Sequence, residues 1–130
     1  MRHGSAALLL PILLMAGCAT PPPAPLFPRQ GEFGAEQSFT GVLVLSFERQ
    51  SFEECWLDFR GSAGSDLTRL APSPALADQQ AAYVADVTLT GRRRNMVDVT
   101  GDDYRGQGFG HLGMYPCLIE AVRITAARTR

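Results

Sequence analysis

The chain has 130 residues, with 13 acidic residues against 12 arginines and no lysine, for a net charge of −1. That length suits one small domain. The charge balance excludes the strongly basic surface by which proteins hold nucleic acid or anionic membranes.

Arg2 and His3 make a short basic start, and residues 6–15 are apolar apart from Pro11. A charged beginning, an apolar stretch of about 7–15 residues and small residues at the cut describe a secretory signal. A membrane-spanning helix would need about 20 apolar residues, and Pro21-Pro22-Pro23 follows at once. The run Leu13-Leu14-Met15-Ala16-Gly17-Cys18 resembles the lipobox of bacterial lipoproteins, with Met15 where that box usually carries Leu. The resemblance implies cleavage before Cys18 and acylation of that cysteine, palmitate included, by two or three chains. The alternative is an ordinary signal-peptidase cut that leaves Cys18 a free or paired thiol. One acyl chain binds a membrane only marginally, at about 0.8 kcal/mol per buried methylene, so several chains make detachment negligible. Ala19 stands where many inner-membrane lipoproteins carry Asp, which by the same resemblance favours the outer membrane, facing the periplasm.

Residues 1–17 are thus expected to be a cleaved lipoprotein signal, residues 18–37 an acylated cysteine and Pro-rich linker, and residues 38–130 the folded domain. Thr20 to Pro25 favours extended polyproline II, a semi-rigid spacer of about 3.1 Å per residue. The first predicted strand is Phe39–Glu48, with Phe39, Leu43, Leu45 and Phe47 on one face and Thr40, Ser46 and Glu48 on the other. A shorter strand follows at Cys55–Arg60. Gly61 to Ser73 is broken by Gly, Ser and Pro and reads as loop. Ser73-Pro74 supplies an N-cap and a first-turn proline for a short helix over Ala75–Ala82. Tyr83–Thr90 alternates and is the third strand, Met96–Thr100 the fourth and Leu118–Ala126 the fifth. Five strands and one short helix predict an all-β fold, a small five-stranded antiparallel OB-like barrel, with a small open sandwich as the alternative.

With Cys18 assigned to lipid, Cys55 and Cys117 remain as a pair. An even count in an oxidising compartment points to a disulfide. Closing a loop of about 60 residues adds about 4 kcal/mol in the chain-entropy model. A metal site or catalytic thiol lacks support, because His111 is the one histidine beyond the signal and no C-x-x-C spacing occurs. No metal or cofactor is therefore expected.

Gly108-Phe109-Gly110-His111-Leu112-Gly113 matches the dinucleotide fingerprint G-x-G-x-x-G in letters only. That mechanism needs a strand before it and a helix after it, and Pro116 blocks the helix. The glycines instead read as positions needing positive φ or close backbone approach. The wider string, Gly110-His111-Leu112-Gly113 with Tyr115, resembles a group of small proteobacterial envelope proteins that brings no known activity with it. In that group the aromatic–histidine loop closes the sheet, and Cys117 fits a disulfide particular to this branch.

Candidate binding residues are Arg92, Arg93 and Arg94 after Gly91, together with Tyr104, His111 and Tyr115 in the loop that follows. Three arginines suit the phosphates of an anionic glycolipid; the plainer account is a hairpin turn solvated by arginine. His111 reads as a loop-pinning histidine or a ligand contact, and Asp102-Asp103 as turn formers. Glu120 shares alternation with Leu118, Val122 and Ile124, which predicts a place at the barrel mouth, a pairing with Arg92 or Arg123, or a bulge. No catalytic residues are assigned, since no serine sits in a G-x-S-x-G elbow and the lone histidine has no nucleophile or placed carboxylate beside it. The expected function is non-catalytic: a lipid-anchored envelope domain that meets a protein or envelope component. The alternative is a binding module for a small ligand or anionic glycolipid through Arg92–Arg94 and Tyr104–Tyr115.

Overall fold

Apolar residues at every second position, Tyr83, Ala85, Val87 and Leu89, turn one face of a long strand inward, and all four are buried. The other elements assemble on that strand. The computed structural model describes Gly17, residues 28–78 and residues 80–130. The signal-like segment, Cys18 and the proline run lie outside those residues. The strands are β1 Arg29–Phe33, β2 Gln37–Ser46, β3 Arg49–Phe52, β4 Cys55–Phe59, β5 Tyr83–Val97 and β6 Cys117–Thr129, with one helix, α1, at Ala63–Leu70. The protein is mostly β, in agreement with the expected class.

The sheet runs β1-β5-β2-β3-β4-β6, and β5 pairs with β6 as well. Pairing therefore passes from β5 through β2, β3, β4 and β6 and returns to β5, while β1 lies outside this ring. An all-antiparallel sheet was expected, but β4 and β6 are parallel, with Trp56 opposite Leu118 and Asp58 opposite Glu120. The cause is connectivity: α1 and β5 intervene between the two strands, so the chain returns in the direction in which it left.

Two predicted strands meet in one. Tyr83–Thr90 and the first two residues of Met96–Thr100 belong to β5, which Gly91-Arg92-Arg93-Arg94 continues as extended backbone with no hairpin turn, while residues 98–100 fall in the loop beyond it. Gly91 serves close approach, because a Cβ there would run into the backbone carbonyl of Glu120. The surplus length of β5 accounts for β1. Past Gly91 the edge that β2 occupies comes free, and Arg29, Gln30 and Phe33 pair there with Val97, Met96 and Arg94. The stretch read as linker up to residue 37 thus contributes a strand, a polar one that hydrophobic periodicity does not reveal.

Helix and loop also change places. Gly61–Ser73 contains α1, with Ala63 and Leu67 buried one turn apart and Leu70 packed beside them. The expected helix over Ala75–Ala82 is only a 3₁₀ turn at Pro74–Leu76, although Ser73 does cap it, its Oγ accepting from the Ala75 N–H at 3.2 Å. Strand β3 was missed because it is four residues long and follows β2 after only Phe47 and Glu48.

The main core gathers Leu43, Phe52, Leu57, Leu67, Tyr83, Leu89, Ile119 and Ile124 with their small neighbours. Tyr83 is buried, and its hydroxyl donates to the Ala71 carbonyl at 2.8 Å. Burial pushes its phenol pKa up. Cys55 and Cys117 open β4 and β6 and form a disulfide across a Cα–Cα distance of 4.6 Å, as the cysteine count predicted. Reducing it, or replacing both cysteines by alanine, is expected to cost about 4 kcal/mol in urea unfolding.

Helix α1 is tied to β6 by one carboxylate. Asp66 accepts from the Ile124 N–H at 2.9 Å and from the Ser62 hydroxyl at 2.8 Å, where irregular register on β6 frees a backbone donor. The Ile124 hydrogen bond, and then that of Ser62, hold its pKa below the ordinary value of 3.8. A carboxylate with a folded pKa below its unfolded one adds stability above the unfolded value and loses it as pH falls through the folded value. Asp66→Ala should therefore lower the melting temperature at neutral pH, and the gap from the wild type should close as the pH drops below 3.8.

Candidate functional site

Residues that alternate with the core positions of β4, β6 and β5 build a second, smaller cluster on the opposite side of the sheet. Met96, Phe109 and Leu118 are its buried members, with Phe33, Trp56, Tyr104 and Tyr115 packed around them. Strand register explains the assembly. Trp56 stands opposite Leu118, Leu118 opposite Arg94, and Arg94 opposite Phe33, so four strands contribute one row. The next row is charged: Asp58 lies opposite Glu120, and Glu120 opposite Arg92.

The 98–116 loop covers part of this face. Phe109 and Tyr115 exchange backbone hydrogen bonds of 2.9 and 3.2 Å, which brings the Tyr115 ring edge-on to Trp56 at 5.3 Å. Gly110, at φ +70°, has its backbone so close to the Trp56 ring that a Cβ would collide with it. Farther along, His111 Nε2 lies 3.8 Å from Glu48 Oε2 in the β2–β3 turn. The loop thus reaches from the end of β5 across Trp56 to the turn that precedes β3.

Arg92 and Arg94 flank one aromatic ring, their guanidinium carbons 4.9 and 5.4 Å from the Phe33 centroid. Each stacked cation of this kind adds about 0.5–1 kcal/mol at an exposed site. Arg94 also donates to the Gly31 carbonyl, which ties β5 to β1 through a side chain. Arg92 Nη2 and Arg60 Nε each lie 3.4 Å from a Glu120 oxygen, and the Glu120 side chain is only 15% exposed. Glu120 is thereby explained. The core face of β6 is Cys117, Ile119, Ala121 and Ile124, with irregular register between Ala121 and Ile124, so Glu120 belongs to the other face and meets Arg92 there.

Of the predicted binding residues, Arg92, Arg94, Tyr104 and Tyr115 come together around this second cluster. Arg93 does not. Its place between Arg92 and Arg94 turns it to the other side, where it meets Glu54 at 3.1 Å and donates to Asn95 at 2.8 Å. With Phe39, Phe52, Cys55 and Ile119 it lines a cavity of about 150 Å³. The three arginines are therefore not one patch, and they are not a turn. His111 lies at the loop tip outside this cluster and is partly exposed; contrary to the sequence reading, a carboxylate is placed beside it, that of Glu48 at 3.8 Å. Sequence reasoning missed Phe33, Trp56 and Arg60. Trp56 was legible in principle, since it alternates with Cys55 and Leu57 and so must face outward. Its Nε1 donates to Asp58 Oδ1 at 3.2 Å.

Glu54, Cys55 and Cys117 place three ligand-type atoms within 4.8 Å of one another. The two sulfurs are bonded to each other, so this group offers one carboxylate, already paired with Arg93. Every buried side-chain nitrogen and oxygen among the described residues has a partner. The chain matches no family model, no curated protein and no solved structure.

Gly110→Ala is expected to push the loop off Trp56 and lose about 1–3 kcal/mol through overpacking. The shift is readable in the emission of Trp56, the one tryptophan of the sequence. Gly101→Ala, at φ +56° with nothing within 4 Å of its Cβ position, should cost about 1 kcal/mol and leave that emission unchanged.

Proposed function

We propose that the protein is a non-catalytic, lipid-anchored component of the bacterial cell envelope. In this reading acyl chains on Cys18 hold it to the outer membrane, and a small OB-like barrel is presented to the periplasm for interaction with a protein or another envelope component. The observation that carries the reading is the fate of the cysteines. Of the three in the sequence, two are joined across β4 and β6, and the third is the cysteine of the lipobox-like run. A disulfide suits an oxidising compartment, and a signal-like segment leads there.

The barrel assignment is supported by the cyclic pairing of β2, β3, β4, β6 and β5, the parallel β4–β6 pair and the helix between β4 and β5. A ring of five paired strands is what a five-stranded, partly open barrel requires. The non-catalytic reading rests on how the polar groups are used: the carboxylates near the aromatic cluster are engaged with arginines or with Trp56, and no serine or thiol stands beside His111 in the sequence.

A second reading, binding of an anionic glycolipid, draws on Arg92 and Arg94 around Phe33. It loses Arg93, which faces elsewhere, and half of its positive charge is neutralised by Glu120. Crosslinking in intact cells followed by purification separates the two readings. One recurrent protein partner supports the first; co-purified glycolipid that disappears in Arg92→Ala/Arg94→Ala supports the second.

The anchor has its own test. Cys18→Ser should leave the domain folded and disulfide-bonded but move it from the membrane to the soluble fraction. Continued sedimentation of that variant with membranes would sink the lipoprotein reading.

A further inference from the structure

The large apolar side chains left exposed among the described residues are Phe47, Val99, Leu112 and Met114. None of them lies on a strand. Phe47 sits in the β2–β3 turn, and the other three sit in the 98–116 loop. Isolated exposed apolar residues are ordinary on any protein surface. Here they are confined to two neighbouring segments, which meet where His111 Nε2 lies 3.8 Å from Glu48 Oε2.

Leu112 is the extreme case, 73% exposed, with Phe47 next at 61%. Leu112 also holds a φ of +55°, a left-handed backbone that L-residues with side chains disfavour. Its neighbours keep it from relaxing. Gly110 is seated against the Trp56 ring, and a Cβ at Gly113 would lie 2.8 Å from the Gly106 backbone. The tip is therefore a fixed mount that holds an apolar side chain out in water. Strain of this kind, retained at a defined place, is a mark of a functional surface.

Two further observations say what it faces. The first is charge. The turns and the residues beside them carry Glu48, Asp98, Asp102 and Asp103 against Arg29, Arg49 and Arg105, so they offer no net basic attraction to anionic headgroups. An apolar tip whose rim carries no net positive charge suits a zwitterionic surface. The second is reach. Residues 19–28 are the only chain between Cys18 and Arg29 of β1, and ten residues span at most about 35 Å. A domain of about 100 residues has a radius of gyration near 13 Å, so a tether of this length keeps the whole domain within touching distance of the bilayer.

We propose, on the basis of the Cys18 anchor argued above, that the Phe47 and Leu112 turns dock on a zwitterionic lipid surface and bury these side chains at the headgroup–acyl boundary. The anchor supplies the affinity, and the two turns set which face of the domain looks away from the membrane.

The test uses the full chain, purified from membranes and reconstituted into phosphatidylethanolamine–phosphatidylcholine vesicles. Leu112→Cys, labelled with an environment-sensitive fluorophore, should emit to the blue of the same label at Thr68→Cys on the exposed side of α1. Quenchers carried on the lipid should dim only the label at position 112, and adding Phe47→Ser should reduce the blue shift. Water-like emission at both positions would overturn the docking. A shift that appears only after phosphatidylglycerol is added would overturn the zwitterionic assignment. Failure of the anchor is read separately, from stoichiometry. One label per chain is expected with Cys18 acylated; two labels would show a free Cys18 thiol and remove both the anchor and the docking that rests on it.

Discussion

The length of β5 is the constraint on which the other elements depend. Its fifteen residues are too many for one partner, so its edges are shared among β2, β1 and β6. Along its first half the odd positions, Tyr83 to Leu89, form the core. Along its second half an even position, Met96, is buried against the aromatic cluster on the reverse side. One strand thus supports two apolar clusters on opposite faces. The first pays for the fold, and the second organises the surface around Trp56.

Parallel strands need a long crossover, and no tight turn fixes their register. Between β4 and β6 the Cys55–Cys117 bond supplies that fixing at the first residue of each strand. The consequence is felt one residue later. Trp56 and Leu118 are held side by side, and the 98–116 loop, which ends at the bonded cysteine, is delivered onto Trp56 through Gly110 and Tyr115. The bond stabilises the fold and also places the aromatic face.

What the sequence made legible follows from where side chains do the specifying. The alternation in Tyr83–Thr90 and most of the apolar face expected over Phe39–Glu48 are dictated by burial, and both strands were readable; Phe47, expected on that face, instead stands exposed in the β2–β3 turn. The disulfide followed from counting cysteines. Elements held by backbone pairing or by a single polar contact were hidden. Arg29–Phe33 carries no apolar period because it only borrows the free edge of β5. Helix α1 looks like a loop because its exposed positions are Gly64, Ser65, Thr68 and Arg69, while Ala63 and Leu67, with Leu70 beside them, mark the apolar side and Asp66 turns to β6. The arginine triplet misled for a related reason. Three like charges in a row suggest one exposed patch, yet in a strand they separate onto two faces and find Glu120, Phe33 and Glu54. Of the site, the tyrosines and two arginines were legible. Phe33 was not, since its strand was not.

The position of β1 outside the closed ring of pairings also has a mechanical meaning. Any pull arriving along residues 18–28 enters the domain at Arg29, and Arg29 is opposite Val97 at the free end of the strand pair. Force applied there opens hydrogen bonds one after another, as a zip fastener opens, and does not shear them together. Strand β1 with its three-residue connector can therefore peel away before the load reaches β2. That release adds eight residues, about 27 Å of extended chain, while the disulfide and the main core stay intact. Among the described strands, β1 is thus the one that a load entering at Arg29 would detach first, ahead of the core.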